Sequence, residues 1–164
     1  MRDNAGWLKT CLNVIAILGF FVVPLAFGAE RAAADEPRLS LKGYDPVAYF
    51  TMGRPTKGNA KFQAAFEDVR YHFVSSKHLE IFRGDPDKYA PRFTGLCAMG
   101  LGAKGYKVEA NPENWVIHKG HLYLTQRSFG PPIFRKGPDR WVDAAGKHVR
   151  ILKDAPIGTG ISWW

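Results

Sequence analysis

The sequence predicts a small, single α+β domain built from short antiparallel β-hairpins and short helices. Three observations support this prediction. Strand-like runs occur in pairs separated by two or three turn residues, Asp-Pro pairs mark the starts of short helices, and no internal repeat or low-complexity run interrupts them. The length of 164 residues, with 46% hydrophobic residues, suits one globular domain rather than two.

The first 34 residues have the layout of a secretory signal. Arg2 and Lys9 form a positive flank, residues 14–28 form an uncharged apolar run, and small residues follow. The run is about fifteen residues long, shorter than the roughly twenty that span a bilayer. We therefore predict cleavage between about Gly28 and Ala34 and a periplasmic or secreted protein, with an uncleaved anchor as the alternative.

The first half of the domain shows two helix starts and one hairpin. Asp45-Pro46 and Asp85-Pro86 each combine a capping carboxylate with a proline suited to the first helical position. Residues 61–66 and 70–74 are strand-like and are joined by a short turn, which predicts a hairpin. A serine pair after the second strand is expected to cap the next helix.

The second half is predicted to contain a loop and two more hairpins. Residues 95–105 include four glycines, which favours a loop that brings a side chain or backbone close to a ligand. Lys119-Gly120 is a two-residue turn between strand-like runs. A last hairpin is predicted for 141–143 and 148–152. The domain plan is a signal peptide at 1–34, a domain at 35–130 and a C-terminal extension of unclear fold at 131–164.

Charge limits the range of partners. The formal net charge is +8, and a basic surface attracts polyanions. Because the chain is predicted to be exported, nucleic acid is not an expected partner. A solvated basic surface is one reading, and weak contact with an anionic envelope surface is the other. The sequence leaves the oligomeric state open.

Cysteine usage is more informative. Once Cys11 is removed with the signal, Cys97 is the only thiol in the remaining chain. Oxidising compartments usually pair structural cysteines, so an unpaired one is a candidate for reactive, metal-binding or intermolecular roles. The alternative is an inert thiol that packs as a small hydrophobe. The hydrolase and redox signatures G-x-S-x-G, H-E-x-x-H and C-x-x-C are absent.

Several motifs, separated but in a fixed order, resemble a known family. They are Gly43-Tyr44-Asp45-Pro46-Val47-Ala48-Tyr49-Phe50, Tyr71-His72-Phe73 with Ser75, Asp85-Pro86-Asp87-Lys88-Tyr89, Gly95-Leu96-Cys97-Ala98, and Asn111-Pro112-Glu113-Asn114-Trp115 with Gly120-His121-Leu122-Tyr123-Leu124. Together they are similar to the YHS domain, and in particular to its exported branch. The resemblance covers about half of the chain, from Gly43 to Thr125.

The resemblance implies a small α+β domain and, in metal-associated members, the handling of transition metals, with a metal ion or a metal-handling protein as partner. Those members tend to have cysteines where this chain has Ala48 and Val74. The residues left for such a role are His72, Asp45 and Cys97. The exported branch includes forms with selenocysteine, which implies redox chemistry at the position of Cys97.

Four residues are therefore candidate site residues. Cys97 is the first, and its glycine-rich surroundings predict an accessible thiol. Met99 is either a core methionine or a thioether ligand near Cys97, and a cysteine with methionine or histidine suits Cu(I). His72 should lie on the opposite face of its strand from Tyr71 and Phe73, either as a ligand or base or as a structural residue. Asp45 is either a helix cap or a metal ligand.

The leading hypothesis is a binding protein rather than an enzyme: an exported YHS-like domain that holds a soft metal, with copper as the expected metal, or assists in metal handling. The second is a thiol redox protein that uses Cys97 through sulfenic acid or a mixed disulfide. The third is a non-catalytic interaction module in which the thiol is incidental.

Overall fold

The computed structural model describes residues 36–161, and residues 37–161 belong to one compact unit. The predicted signal segment lies outside the described residues. The α+β class is confirmed: short helices surround a three-stranded sheet and a separate two-stranded sheet. Within the described part of the chain, no helix is both long and apolar enough to cross a membrane.

The three-stranded sheet is built on the first predicted hairpin. Strand β2 (Asn59–Phe66) pairs antiparallel with β3 (Val69–Phe73), and the short β1 (Arg38–Leu39) pairs parallel with the other edge of β3. The turn residues Glu67 and Asp68 both have positive φ. Strand β3 alternates buried and half-buried residues, so that Tyr71 and Phe73 enter the main core.

Three short helices follow the capping chemistry predicted from the sequence. They are α1 (Ala48–Thr51), α2 (Ser76–Gly84) and α3 (Pro86–Tyr89). Asp45 accepts hydrogen bonds from the backbone of Val47 and Ala48. The Ser75 and Asp85 side chains cap α2 and α3 in the same way. A short polar side chain before each helix satisfies backbone N–H groups that otherwise have no partner in the first turn.

The second predicted hairpin is also confirmed. Strand β4 (Asn111–His118) pairs antiparallel with β5 (His121–Thr125), with a register shift between Asn111 and Trp115. Lys119 and Gly120 both have positive φ, as a type I′ turn requires. This turn geometry matches the twist of the two strands, which is why Lys119-Gly120 between two strand-like runs indicates a hairpin.

The glycine-dense loop predicted at 95–105 is wrong for most of its length. Residues Ala98–Lys104 form helix α4, which Cys97 caps and Gly105 ends in a left-handed conformation. Gly102 packs directly on the backbone of the C-terminal helix, where an added Cβ would lie 2.8 Å from the carbonyl oxygen of Trp141. The glycines therefore allow close helix packing rather than loop flexibility.

The last predicted hairpin is also wrong. After the short helix α5 (Gly130–Arg135), residues Pro138–Ile151 form α6, the longest helix described. Its sequence contains a helical pattern that strand prediction overlooked. Proline occupies the first turn, and Val142, Ala145, Val149 and Leu152 recur at intervals of three or four residues. Ala145, Val149 and Leu152 pack in one cluster with Leu96 and Leu101, and Val142 packs in a second cluster with Phe134. The extension is thus helical and part of the same compact unit.

Candidate functional site: a pocket beside Cys97

Cys97 is fixed between two elements. Its backbone N–H donates to the carbonyl of Val108 at 2.9 Å, and the residue forms a parallel bridge with Leu124 of β5. One residue later the chain enters α4, so the Cys97 side chain occupies the N-cap position of that helix. Backbone bonds on both sides therefore determine where the sulfur points.

The sulfur accepts two backbone hydrogen bonds. The N–H of Gly100, in the first turn of α4, and the N–H of Gln126, just after β5, each lie 3.2 Å from Cys97 Sγ. Their positive ends point at the sulfur and stabilise negative charge that develops on it. A sulfur held this way is oriented for nucleophilic attack or for binding a soft cation.

A pocket of about 310 Å³ adjoins Cys97. This pocket, called the thiol pocket below, lies between α4, the end of β5 and the start of α5. Its lining residues are Cys97, Met99, Gly100, Ala103, Lys104, Tyr106, Val108, Thr125, Gln126, Arg127, Phe129 and Gly130. Apolar surface dominates, and the volume lies at the lower end of the range of about 300–1,000 Å³ for small-molecule sites.

The two formally charged residues that line the thiol pocket are both basic. Lys104 lies at the end of α4, Arg127 follows β5, and no carboxylate belongs to the lining. Neither residue forms an ion pair with a carboxylate of residues 36–161, whereas Arg38 and Lys119 do. The two basic residues are exposed. The surface of the pocket is therefore mainly apolar, and the charged residues that line it are both positive.

The prediction that Cys97 is accessible because of a glycine loop is wrong in that form. The residue is only 4% exposed, because it begins a packed helix rather than lying in a loop. The thiol nevertheless lines the pocket. Access therefore depends on a small molecule entering the pocket, not on exposure to bulk solvent.

The candidate ligands divide into two groups. Met99 lines the thiol pocket together with Cys97. His72 does not: it alternates with Tyr71 and Phe73 along β3, and those two residues belong to the same core cluster as Cys97. The predicted placement of His72 on the opposite face is confirmed, and that placement separates its side chain from the sulfur.

His72 has basic neighbours. Partial burial, followed by the positive charges of Arg70 and Lys57, holds the pKa of His72 below its usual value. The imidazole is therefore mostly neutral near pH 7. The same two cations oppose a metal cation at this position, because like charges repel.

Asp45 is fully buried and its oxygens are already engaged. Oδ1 accepts from the N–H of Val47 at 2.8 Å and Ala48 at 3.3 Å. Oδ2 accepts from the N–H of Val74 at 2.8 Å and lies 2.7 Å from His78 Nδ1. These four contacts join α1, the end of β3 and α2. The predicted capping role is confirmed, and the arrangement is typical of a structural carboxylate.

Sequence reasoning missed several residues of the two sites. His78 gave no signal beyond its place in a helix, yet it is the partner of Asp45. Phe129 was not among the candidate site residues, yet it lines the thiol pocket and is 60% exposed. Arg127 and Gln126 follow a predicted strand, and their position beside Cys97 depends on a tertiary contact. The bridge between Cys97 and Leu124, two residues before Gln126, brings the Gln126 N–H to the sulfur and Arg127 to the pocket lining.

Metal-ligand geometry is sparse in the described part of the chain. No group of three or more His, Cys, Asp or Glu side chains among residues 36–161 is arranged to hold a metal ion.

Comparison with protein-family models, with curated proteins and with solved structures gives no match.

Proposed function

We propose that the domain is a thiol redox protein in which Cys97 reacts reversibly inside the thiol pocket. The observation that supports this most strongly is the environment of one atom. Cys97 Sγ accepts two backbone N–H bonds and borders a cavity whose charged residues are both basic. Negative charge on sulfur is stabilised by such neighbours, which is what a nucleophilic thiol needs.

The chemistry proposed is oxidation by a peroxide. The sulfur attacks one oxygen of hydrogen peroxide, an S–O bond forms and the O–O bond breaks. The departing oxygen takes the thiol proton and leaves as water, so the sulfur is oxidised to sulfenic acid and the peroxide is reduced. Residues 36–161 contain no second cysteine. A small thiol from solution therefore completes the cycle, first by forming a mixed disulfide and releasing water, and then by exchange with a second thiol.

The experiment is sulfenic acid trapping on the native full-length chain. The protein is treated with peroxide in the presence of a dimedone-type probe, and the Cys97 peptide is identified by mass. We expect probe addition on that peptide in the wild type and none at that position in Cys97→Ser. A native protein whose Cys97 peptide stays unmodified, while the denatured protein is labelled, would show an inert thiol.

A soft metal site is the second candidate, because Met99 and Cys97 share the pocket. A thiolate and a thioether suit Cu(I), which accepts two or three soft ligands. We therefore propose Cys97 and Met99 as the copper ligands, and His72 and Asp45 are not among them. We expect Cys97→Ser to weaken Cu(I) binding at least about a hundredfold, or roughly 2.7 kcal/mol.

The copper test has matched controls within the chain. Met99→Leu should weaken Cu(I) in competition with a chelator, whereas Met52→Leu, at a methionine that is 41% exposed and outside the pocket lining, should not. His72→Ala should leave the affinity unchanged. Equal affinity of wild type and Cys97→Ser would end the metal proposal at this pocket and leave the redox proposal standing.

The family resemblance and the location remain proposals. An exported YHS-like domain is consistent with the predicted signal segment and with the α+β fold. Detection of the mature chain in the envelope fraction, with a new N-terminus between about Gly28 and Ala34, tests the export. A chain that retains Met1 or is found only in the cytoplasm would contradict it.

A further inference from the structure

We infer that the thiol pocket binds a small organic acid: a molecule with an apolar body and one carboxylate. The inference names the ligand class of the pocket and goes beyond the proposed function, in which a peroxide is the oxidant and a small thiol is the reductant. Binding itself depends on the pocket walls and charges, so it is testable without the thiol.

The walls determine the body of the ligand. Met99, Ala103 and Val108 present aliphatic or thioether surface to the cavity. Tyr106 and Phe129 add aromatic surface and remain 42% and 60% exposed. Covering large apolar side chains left this open removes apolar surface from water, which favours an apolar ligand. The body of the ligand is therefore apolar.

The charges determine the head group. Lys104 and Arg127 lie on two different elements that meet at the pocket, and neither has a carboxylate partner among the described residues. A neighbouring cavity of about 530 Å³ contrasts with this: Glu67 and Asp68 line it together with Lys107, so both signs are present. The thiol pocket selects for an anion, and a carboxylate matches the planar donor fork of arginine.

The relation of charge to depth determines the orientation. The two basic residues are exposed, whereas Cys97 is 4% exposed. A bound acid therefore places its carboxylate at the exposed basic residues and its apolar body against Tyr106, Phe129 and the buried lining residues, Cys97 among them. A metal cation entering the same pocket would have to pass two positive charges, which is why the geometry favours the acid as occupant.

The test is calorimetric titration of the full-length chain with octanoate, 1-octanol, octylamine and acetate. We expect octanoate to bind at least tenfold more tightly than the alcohol or the amine, because only its negatively charged head group is attracted to Lys104 and Arg127. Acetate should bind at least tenfold more weakly than octanoate, because it lacks the apolar body. Octanoate that binds no better than octanol would overturn the inference.

Variants locate the site. Lys104→Gln and Arg127→Gln should each weaken octanoate at least threefold, whereas Arg135→Gln, an exposed cation outside the pocket lining, should not. Wild-type affinity in both pocket variants would also overturn the inference. Cys97→Ser should keep octanoate binding. Sulfenic acid formation without octanoate binding would refute the ligand class alone, and octanoate binding without Cys97 oxidation would refute the redox proposal alone.

Discussion

Asp45 and Cys97 are both buried polar side chains at the start of a short helix, and they differ in what else surrounds them. Asp45 has four partners that join three elements, and it lines none of the cavities described above. Cys97 has two N–H donors, and its sulfur borders the thiol pocket. The same capping position thus holds the fold together in one region and presents a reactive atom in the other.

The comparison separates stability from function. A carboxylate whose acceptors are all occupied contributes to the free energy of unfolding and offers nothing to a ligand. A cysteine that lines a pocket contributes less to the free energy of unfolding, but it can react with a molecule that enters the pocket. Substitution of Asp45 should therefore mainly lower the free energy of unfolding, and substitution of Cys97 should mainly abolish thiol reactivity.

The largest stability effect is expected from Asp45→Asn. The amide keeps the shape but replaces one of the two acceptor oxygens with a donor, so backbone N–H groups that Asp45 now satisfies lose their acceptor. We expect the free energy of unfolding in urea to fall by about 3 kcal/mol, because buried donors are left without partners. Asp139→Asn, at an exposed carboxylate, is the control. A loss of less than about 1 kcal/mol in the free energy of unfolding would contradict a structural role for Asp45.

A second test concerns the helix packing that holds Cys97 in place. Gly102→Ala adds a Cβ that would lie 2.8 Å from the Trp141 carbonyl oxygen, so α4 and α6 must separate. We expect a loss of about 2 kcal/mol in the free energy of unfolding. Gly146→Ala, in α6 with no atom within 4 Å of the added Cβ, should instead stabilise the protein by about 0.5 kcal/mol. Equal effects of the two substitutions would refute the close-packing role of Gly102.

Cys97→Ser should cost less stability than either change. A serine hydroxyl accepts the same two N–H bonds, and the main loss is the larger, more apolar sulfur. We expect about 1 kcal/mol in the same urea experiment, together with complete loss of sulfenic acid trapping at that position. A loss as large as that of Asp45→Asn would indicate that the thiol is chiefly structural.

The smallest effect concerns pH. The pKa of His72 is lowered in the folded protein from its usual 6.5 by partial burial and by Arg70 and Lys57. The unfolded chain then binds a proton more readily, so stability is complete above about pH 6.5 and falls as the pH drops through the folded pKa. His72→Gln should flatten this slope between about pH 7 and 5. An unchanged slope would assign the pH dependence to another group.

Local patterns were enough to predict the two hairpins that the structure contains and the helix caps, because each depends on residues within a few positions. Lys119-Gly120 adopts positive φ, and Asp85 bonds the N–H of Lys88, three residues on. Helix α6 carries a local pattern of the same kind, which the strand prediction overlooked, whereas α4 could not be predicted in this way. Gly102 is destabilising in an isolated helix and is explained only by the Trp141 backbone that packs on it.

The same limit applied to the candidate site. Cys97 and Met99 were identified from residue type and close spacing, and they do share a pocket. Arg127 is thirty positions from Cys97, and it reaches the pocket through the pairing of Cys97 with Leu124. His72 was selected by residue type, and strand alternation placed it on the other face.

The central claim is that the buried residue Cys97 lines a mainly apolar pocket whose two charged residues, Lys104 and Arg127, are both positive. The most direct measurement compares the rates at which 2-sulfonatoethyl and 2-aminoethyl methanethiosulfonate modify Cys97 in the native full-length chain, with the modified peptide identified by mass. The account predicts that Cys97 reacts before unfolding and that the anionic reagent reacts at least tenfold faster, with the preference lost when Lys104 and Arg127 are both changed to Gln. Modification that requires unfolding, or a faster reaction with the cationic reagent, would contradict it.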